Sequence, residues 1–259
     1  MIKFFTLPPN EIEYPYIFIN ARKPVYSYFK KWRDNVEEVI IDTGIEMFRN
    51  PNIKDYPKDW ITRLIKVYRK VKRIILKAQV WLVCPDYCDD YNPKSLWINN
   101  EITNIERTIE NVKKYALQIS SINWLISIQG HNKKPDSVKI CLDYYKKLGV
   151  LDEFNYFAIG NLCVERKSDI IYKTAKNVRN ILGKDKKIHI FGLKLSCVKD
   201  VQNLIDSFDT MAWTRPIDKK LGNWSYKTKE ERISYFLAWY NSFKKKLMLP
   251  LDKWVKEVD

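Results

Sequence analysis

Val39-Ile40-Ile41-Asp42-Thr43-Gly44 is a short apolar, β-branched run that stops on a carboxylate and a glycine, and the signature recurs along the chain. Ile126-Ser127-Ile128-Gln129-Gly130, Phe157-Ala158-Ile159-Gly160 and Ile188-His189-Ile190-Phe191-Gly192 repeat it. Apolar runs of this length, bounded by turn residues, read as strands buried on both faces. The strand candidates are Ile2 to Phe5, Tyr16 to Ile19, Val39 to Ile41, Gln79 to Val83, Trp124 to Ile128, Tyr156 to Ile159, Ile188 to Phe191 and Phe208 to Trp213. Helical patterns at Ile61 to Lys77, Ile98 to Ser120, Ser137 to Leu148, Ser168 to Leu182, Cys197 to Ile205 and Lys229 to Lys246 separate or follow them. Strands alternating with helices imply a parallel sheet, and eight of them suit a closed (β/α)8 TIM-like barrel. We therefore expect an α/β fold with one barrel domain over residues 1–259, a doubly wound open sheet being the alternative. Residues 1–15 are either a barrel strand or an N-terminal cap, and 216–259 form a C-terminal helical segment.

Only seven glycines occur in 259 residues, far below the ~7% of average composition, and Gly44, Gly130, Gly160 and Gly192 all fall at strand ends. Polar side chains stand beside them: Asp42, Asp86, Gln129, Asn161 and Asp209. In a barrel, these ends converge on the mouth where such folds keep their chemistry. His131, after Gln129-Gly130, is expected near that mouth, and His189, inside a strand, in the core.

Forty-six Lys and Arg against 31 Asp and Glu leave a formal charge of +15, which favours a polyanionic partner but does not choose among DNA, RNA and an anionic membrane. No run approaches the roughly 18 apolar residues of a membrane span, and Met1 to Asn10 lacks the pattern of a signal peptide. A cytoplasmic protein is expected, acting in a host cytoplasm if virus-encoded. Cysteines at 84, 88, 141, 163 and 197, an odd number, fit reduced thiols better than a disulfide framework. Cys84 and Cys88 have no second pair to complete a zinc site. The absence of G-x-x-x-x-G-K-[ST] and G-x-G-x-x-G leaves nucleotide hydrolysis and dinucleotide redox chemistry without support.

Ile205-Asp206-Ser207-Phe208-Asp209-Thr210-Met211-Ala212-Trp213-Thr214-Arg215 resembles the signature of the tRNA-guanine transglycosylase superfamily, in which an I-D-M-F-D stretch carries the nucleophilic aspartate and Thr-Arg follows at the same spacing. Asp42-Thr43-Gly44 resembles the family's D-S-G with its catalytic aspartate. Asp86-Tyr87-Cys88 resembles its base-reading D-E-C, Gln129-Gly130 its Q-G, and Gly160-Asn161-Leu162 its G-G-L. The motifs stand in family order over residues 42 to 215. The family's C-x-C-x-x-C plus His zinc site has no counterpart, since no Cys or His follows Arg215, so no metal and no other cofactor is expected. Asn161 replaces a glycine, Thr43 a serine, and Glu165-Arg166 the family's Gly-Glu. A short, basic chain without the zinc subdomain is most similar to the DpdA-type DNA-guanine transglycosylases.

What the resemblance implies is exchange of guanine for a 7-deazaguanine in DNA, with Asp209 as nucleophile and Asp42 as general acid and base. Asp86, Gln129, Gly160, Asn161 and Leu162 would bind the base, with Tyr87 or Tyr156 as a stacking face, and Arg215 and Lys194 would contact phosphate. The partners implied are DNA, a free base such as 7-cyano-7-deazaguanine, and a helicase-like or other modification-system protein. The alternatives are the same reaction on tRNA, a non-catalytic nucleic-acid-binding relative and, more distantly, a sugar-active barrel hydrolase.

Overall fold

The protein is described here by a computed structural model covering residues 2–50, 52–89, 103–211, 213 and 228–247. Eight parallel strands form one sheet: β1 (Lys3–Phe5), β2 (Tyr16–Asn20), β3 (Glu38–Asp42), β4 (Gln79–Val83), β5 (Trp124–Ile128), β6 (Tyr156–Ile159), β7 (Lys187–Ile190) and β8 (Ser207–Asp209). Sheet order runs β1-β8-β7-β6-β5-β4-β3-β2. The ring closes where Thr6 bridges Ile17, the Thr6 amide donating to the Tyr16 carbonyl (3.2 Å) and the Phe18 amide to the Thr6 carbonyl (3.0 Å). The fold is a (β/α)8 TIM-like barrel, and the segment Lys3–Phe5 is one of its strands, paired with β8.

Helices cover the outside. They are α1 (Tyr26–Trp32), α2 (Trp60–Ile74), α3 (Asn104–Asn111), α4 (Val138–Lys147), α5 (Val150–Glu153), α6 (Ser168–Leu182), α7 (Val198–Val201) and α8 (Lys229–Leu247). In α2 the buried residues Trp60, Leu64, Val67, Tyr68 and Val71 recur at helical spacing and form the stripe that meets the sheet. Helix α3 starts on a capping box, the Thr103 hydroxyl accepting from the Glu106 amide while the Glu106 carboxylate accepts from the Thr103 amide. It then loosens into a π-helical turn, Val112–Ala116.

Three of the expected elements shift or shorten, and one observed helix was not expected. The last strand ends at Asp209 rather than Trp213, because the Thr210 amide still reaches the Phe5 carbonyl but the Thr6 backbone beyond it pairs with β2 instead. The helix expected over Cys197 to Ile205 is a 3-10 turn and the single turn of α7. The helix expected from Ile98 begins at Asn104, its earlier part lying outside the described residues. The short helix α1 carried no distinct signal.

Side-chain alternation along the strands divides the core in two. Phe5, Ile40, Val83, Leu125, Tyr156, Ala158 and Phe191 fill the barrel interior. Their neighbours, such as Phe4, Val39, Ile41, Leu82, Ile126 and Phe208, face the helices. Helix α8 seals the β1–β8 seam, with Phe243 packed on Phe4 and Phe208 at ring distances of 5.1 and 5.8 Å. Phe208→Ala should cost about 3–5 kcal/mol, the usual penalty for emptying a buried phenyl site, measured as a lower urea midpoint with an unchanged denaturant slope.

Candidate active site

All of the polar strand-end residues lie at the carboxyl ends of the barrel strands, because every strand runs the same way. Asp42 and Asp209 are the last residues of β3 and β8. Asp86 follows β4 by three positions, while Gln129 and Gly160 come directly after β5 and β6. A cavity of about 700 Å³ opens there, lined among others by Asp42, Asp86, Asp209, Glu46, Gly160 and Gly192. Its size is typical of a small-molecule site.

Asp209 is buried, and its Oδ1 accepts from the Gly192 amide (3.0 Å) and lies within hydrogen-bond distance of His189 Nε2 (3.1 Å). Both fall on one oxygen. Oδ2 has no hydrogen bond from the described residues and belongs to a side chain in the cavity wall. A carboxylate gripped by one oxygen and open at the other is arranged to attack an electrophilic carbon.

Asp42 is held differently. Its Oδ2 accepts from the Gly44 amide at 3.0 Å, and Gly44 adopts a left-handed φ of 82° that a residue with a Cβ resists. A Cβ there would also lie 2.6 Å from Cγ of Arg22. Burial first, then the neighbouring carboxylates Glu46, Asp86 and Asp209, push the Asp42 carboxyl well above the usual carboxylate range, against the pull of the Gly44 amide. Such a group can keep a proton to give, as a general acid must. Asn20, on the adjacent strand and in register with Asp42, joins the cluster by donating to Glu46 Oε1 (2.6 Å).

Asp86 sits on a clamped loop. The Asn111 side chain donates to the Pro85 carbonyl (3.0 Å), Tyr56 to the Asp86 carbonyl (2.9 Å), and the Tyr87 amide to Thr108 Oγ1 (2.9 Å). Gln129 Nε2 donates to Asp86 Oδ2 at 2.6 Å. Burial raises the Asp86 carboxyl to about 6, with Ser127, Gln129 and Thr43 pulling the other way. Gly160 is required for this pair, since a Cβ on it would stand 2.1 Å from Gln129 Nε2.

The other expected site residues take distinct places. Gln129 is fully buried and acts on the cavity through Asp86, which occupies one of its two N–H donors. Asn161 and Leu162 are buried, and the β6 end forms cavity wall at Gly160. Gln129 Oε1 and Asn161 Oδ1 are enclosed without a protein partner, at a cost of about 1–3 kcal/mol each that a donor-bearing ligand edge reaching them would relieve. Lys194 lines the cavity, but its Nζ also donates to the Glu165 (2.6 Å) and Val164 (3.3 Å) carbonyls and so holds the loop after β6. Arg215 lies outside the described residues.

Neither tyrosine expected as a stacking face belongs to the cavity wall. The Tyr87 ring is covered by Arg107 at 3.6 Å and packs on Phe48, while Tyr156 lies inside the barrel with its hydroxyl on Ser207. The rings in the wall are Phe18 and Phe191. His131 is tied by Nδ1 to Asp89 Oδ2 (3.2 Å). Sequence reasoning missed Phe18, Asn20, Glu46 and Arg49 as wall residues and treated Arg166 only as a departure from a motif. Asn20 and Phe18 could have been found from the two-residue period of β2.

Among the described residues, no helix is long and apolar enough to cross a membrane, and no three His, Cys, Asp or Glu side chains converge to hold a metal ion. All five cysteines are free thiols. No protein-family model matches the chain, and no curated protein matches it.

The raised carboxyl of Asp86 links stability to pH with a definite sign. A folded-state value of about 6 against the ordinary 3.8 means that the native state retains a proton the unfolded chain has lost. This contribution is at its most favourable below pH about 4 and is lost as pH rises toward 6. Asp86→Asn should therefore match the wild type at pH 4 and exceed it by up to about 3 kcal/mol at pH 7.5, from two pKa units at 1.36 kcal/mol each. Urea unfolding at the two pH values checks this, and a difference independent of pH would refute it.

Proposed function

We propose that the protein is a guanine transglycosylase that replaces guanine in DNA with a 7-deazaguanine base through a covalent intermediate on Asp209. The observation that carries the reading is the Asp209 carboxylate, held through Oδ1 with Oδ2 unengaged among the described residues, in one cavity with the proton-retaining Asp42 and with Asp86, which Gln129 supports from behind. The ordered motif resemblance supplies the class of reaction, and the formal charge of +15 supports a polyanionic substrate.

In the first half, Asp209 Oδ2 attacks C1′ of the target nucleotide as the bond from C1′ to the guanine nitrogen breaks, and Asp42 gives its proton to the departing base. In the second, the incoming 7-deazaguanine loses its ring N–H proton to Asp42, and that nitrogen displaces Asp209 from C1′. Two displacements retain the configuration at the sugar carbon. The ionised Asp86 carboxylate accepts from the N1 and N2 donors of the base, oriented by Gln129. A paired base cannot reach such a site, so the nucleotide is flipped out or presented as single strand. The exposed Arg49 and Arg166 in the cavity wall supply cations for the flanking phosphates.

The test is incorporation of radiolabelled guanine into polymer, which needs no knowledge of the natural base. Label should enter DNA, be chased out again by excess unlabelled guanine, and be absent with Asp209→Ala. Label in tRNA alone would move the substrate to tRNA, and binding without labelling of either would point to a non-catalytic relative. Because Asp86 must be ionised to accept from guanine, KM for guanine should rise about tenfold per pH unit below the Asp86 value of about 6. A KM constant between pH 4.5 and 7.5 would remove Asp86 from base recognition.

A further inference from the structure

His189 is completely buried on the inner face of β7 and belongs to a hydrogen-bonded chain that ends on Asp209. Tyr156 Oη lies 2.5 Å from Ser207 Oγ, Ser207 Oγ 2.8 Å from His189 Nδ1, and His189 Nε2 3.1 Å from Asp209 Oδ1. The chain follows from strand geometry. Ala158 pairs with His189, and His189 with Ser207, so Tyr156 and Asp209, each two residues along its own strand, fall on the same inner face.

Chemistry orders the donors. An ionised carboxylate only accepts, so His189 Nε2 carries the proton that points at Asp209. With a neutral ring, Nδ1 accepts from the Ser207 hydroxyl, whose oxygen accepts from Tyr156. Every proton in the chain then has an acceptor. The imidazole cannot turn away, because Phe18 stacks on it at 6.3 Å and 4° while Phe5, Tyr156 and Phe191 meet it edge-on at 5.8, 6.4 and 5.0 Å.

We infer that His189 is a positioning residue for the nucleophile: an Nε2–H donor, set by Ser207 and Tyr156, that fixes Asp209 Oδ1 so that Oδ2 is the oxygen presented to C1′. Pinning the carboxylate removes the rotation that would otherwise exchange its two oxygens, which is an orientation effect on the chemical step rather than on binding of the base. The inference rests on the reading of Asp209 as nucleophile.

Two measurements on the full chain separate its failure from failure of that reading. The protein has two histidines, so ¹⁵N NMR of histidine-labelled protein resolves them, with His189→Gln assigning the signals. His189 should show the Nε2–H tautomer with a proton protected from solvent exchange, and Asp209→Ala should abolish the protection. The Nδ1–H tautomer, or an unprotected Nε2–H in the wild type, would overturn the inference whatever the activity. In guanine exchange, His189→Leu should lower kcat on the order of 10²-fold, the usual cost of one oriented donor, with KM for guanine within about twofold. His189→Gln, which can offer an N–H to Asp209 and a carbonyl to Ser207, should restore most of the loss, and Ser207→Ala should show a smaller fall confined to kcat. A parallel loss in Leu and Gln variants of equal thermal stability would also overturn it. A wild type that shows the tautomer but exchanges no guanine would instead remove the transglycosylase reading and leave the Asp209 geometry intact.

Discussion

Each strand places alternate side chains on opposite faces, and in a closed ring of parallel strands that two-residue period decides nearly everything about the site. It sends Ile40, Val83, Leu125 and Ala158 into the barrel as packing and, at the carboxyl ends of the strands, directs Asp42 and Asp209 to the mouth. One shift of register in β8 would exchange Asp209 for Phe208 and put a carboxylate against helix α8. The pairing of Phe5 with Asp209 and of His189 with Ser207 is thus a condition for assembling the candidate site as well as for folding.

The three carboxylates of the mouth are held in different environments by different means. Asp209 is held through one oxygen by the Gly192 amide and His189. Asp42 has one backbone donor, while its burial and three acidic neighbours, Glu46, Asp86 and Asp209, favour its proton-bound form. Asp86 stands between, enclosed but supported by Gln129. The difference in environment, rather than in residue type, is what would separate the nucleophile, acid and base-reader of the proposed reaction. It also costs stability, since two buried carboxyls are displaced from the range they would have in water.

Much of this was legible in the chain. Seven of the eight strand candidates, Tyr16 to Ile19 among them, match the observed strands to within one residue at either end, because short β-branched runs between turn residues have few other readings. Helix α6 over Ser168–Leu182 has the expected bounds, where Gly183 with a φ of 71° stops it. The polar residues at strand ends were legible for the same reason. The elements that misfit are those whose length is set by a neighbour: β8 stops where β1 stops offering partners, and α7 is reduced to one turn in the tight connection from β7 to β8.

The sequence by itself determined the alternation of strands and helices, the parallel direction of the sheet and the presence of Asp42, Asp86 and Asp209 at strand ends, since all of these depend on local periodicity and chain order. Only the tertiary structure decided which neighbours those carboxylates have. His189 read as an ordinary core residue in a strand, and nothing local distinguishes it from one; its contact with Asp209 spans twenty positions and exists only because β7 and β8 pair with His189 opposite Ser207. Likewise Tyr156 looked like a stacking ring until the barrel enclosed it, while Phe18 and Phe191 became the rings of the cavity wall. Proton affinity, donor order and which oxygen stays free are properties of long-range contacts, and those are set by strand register and closure rather than by any segment alone.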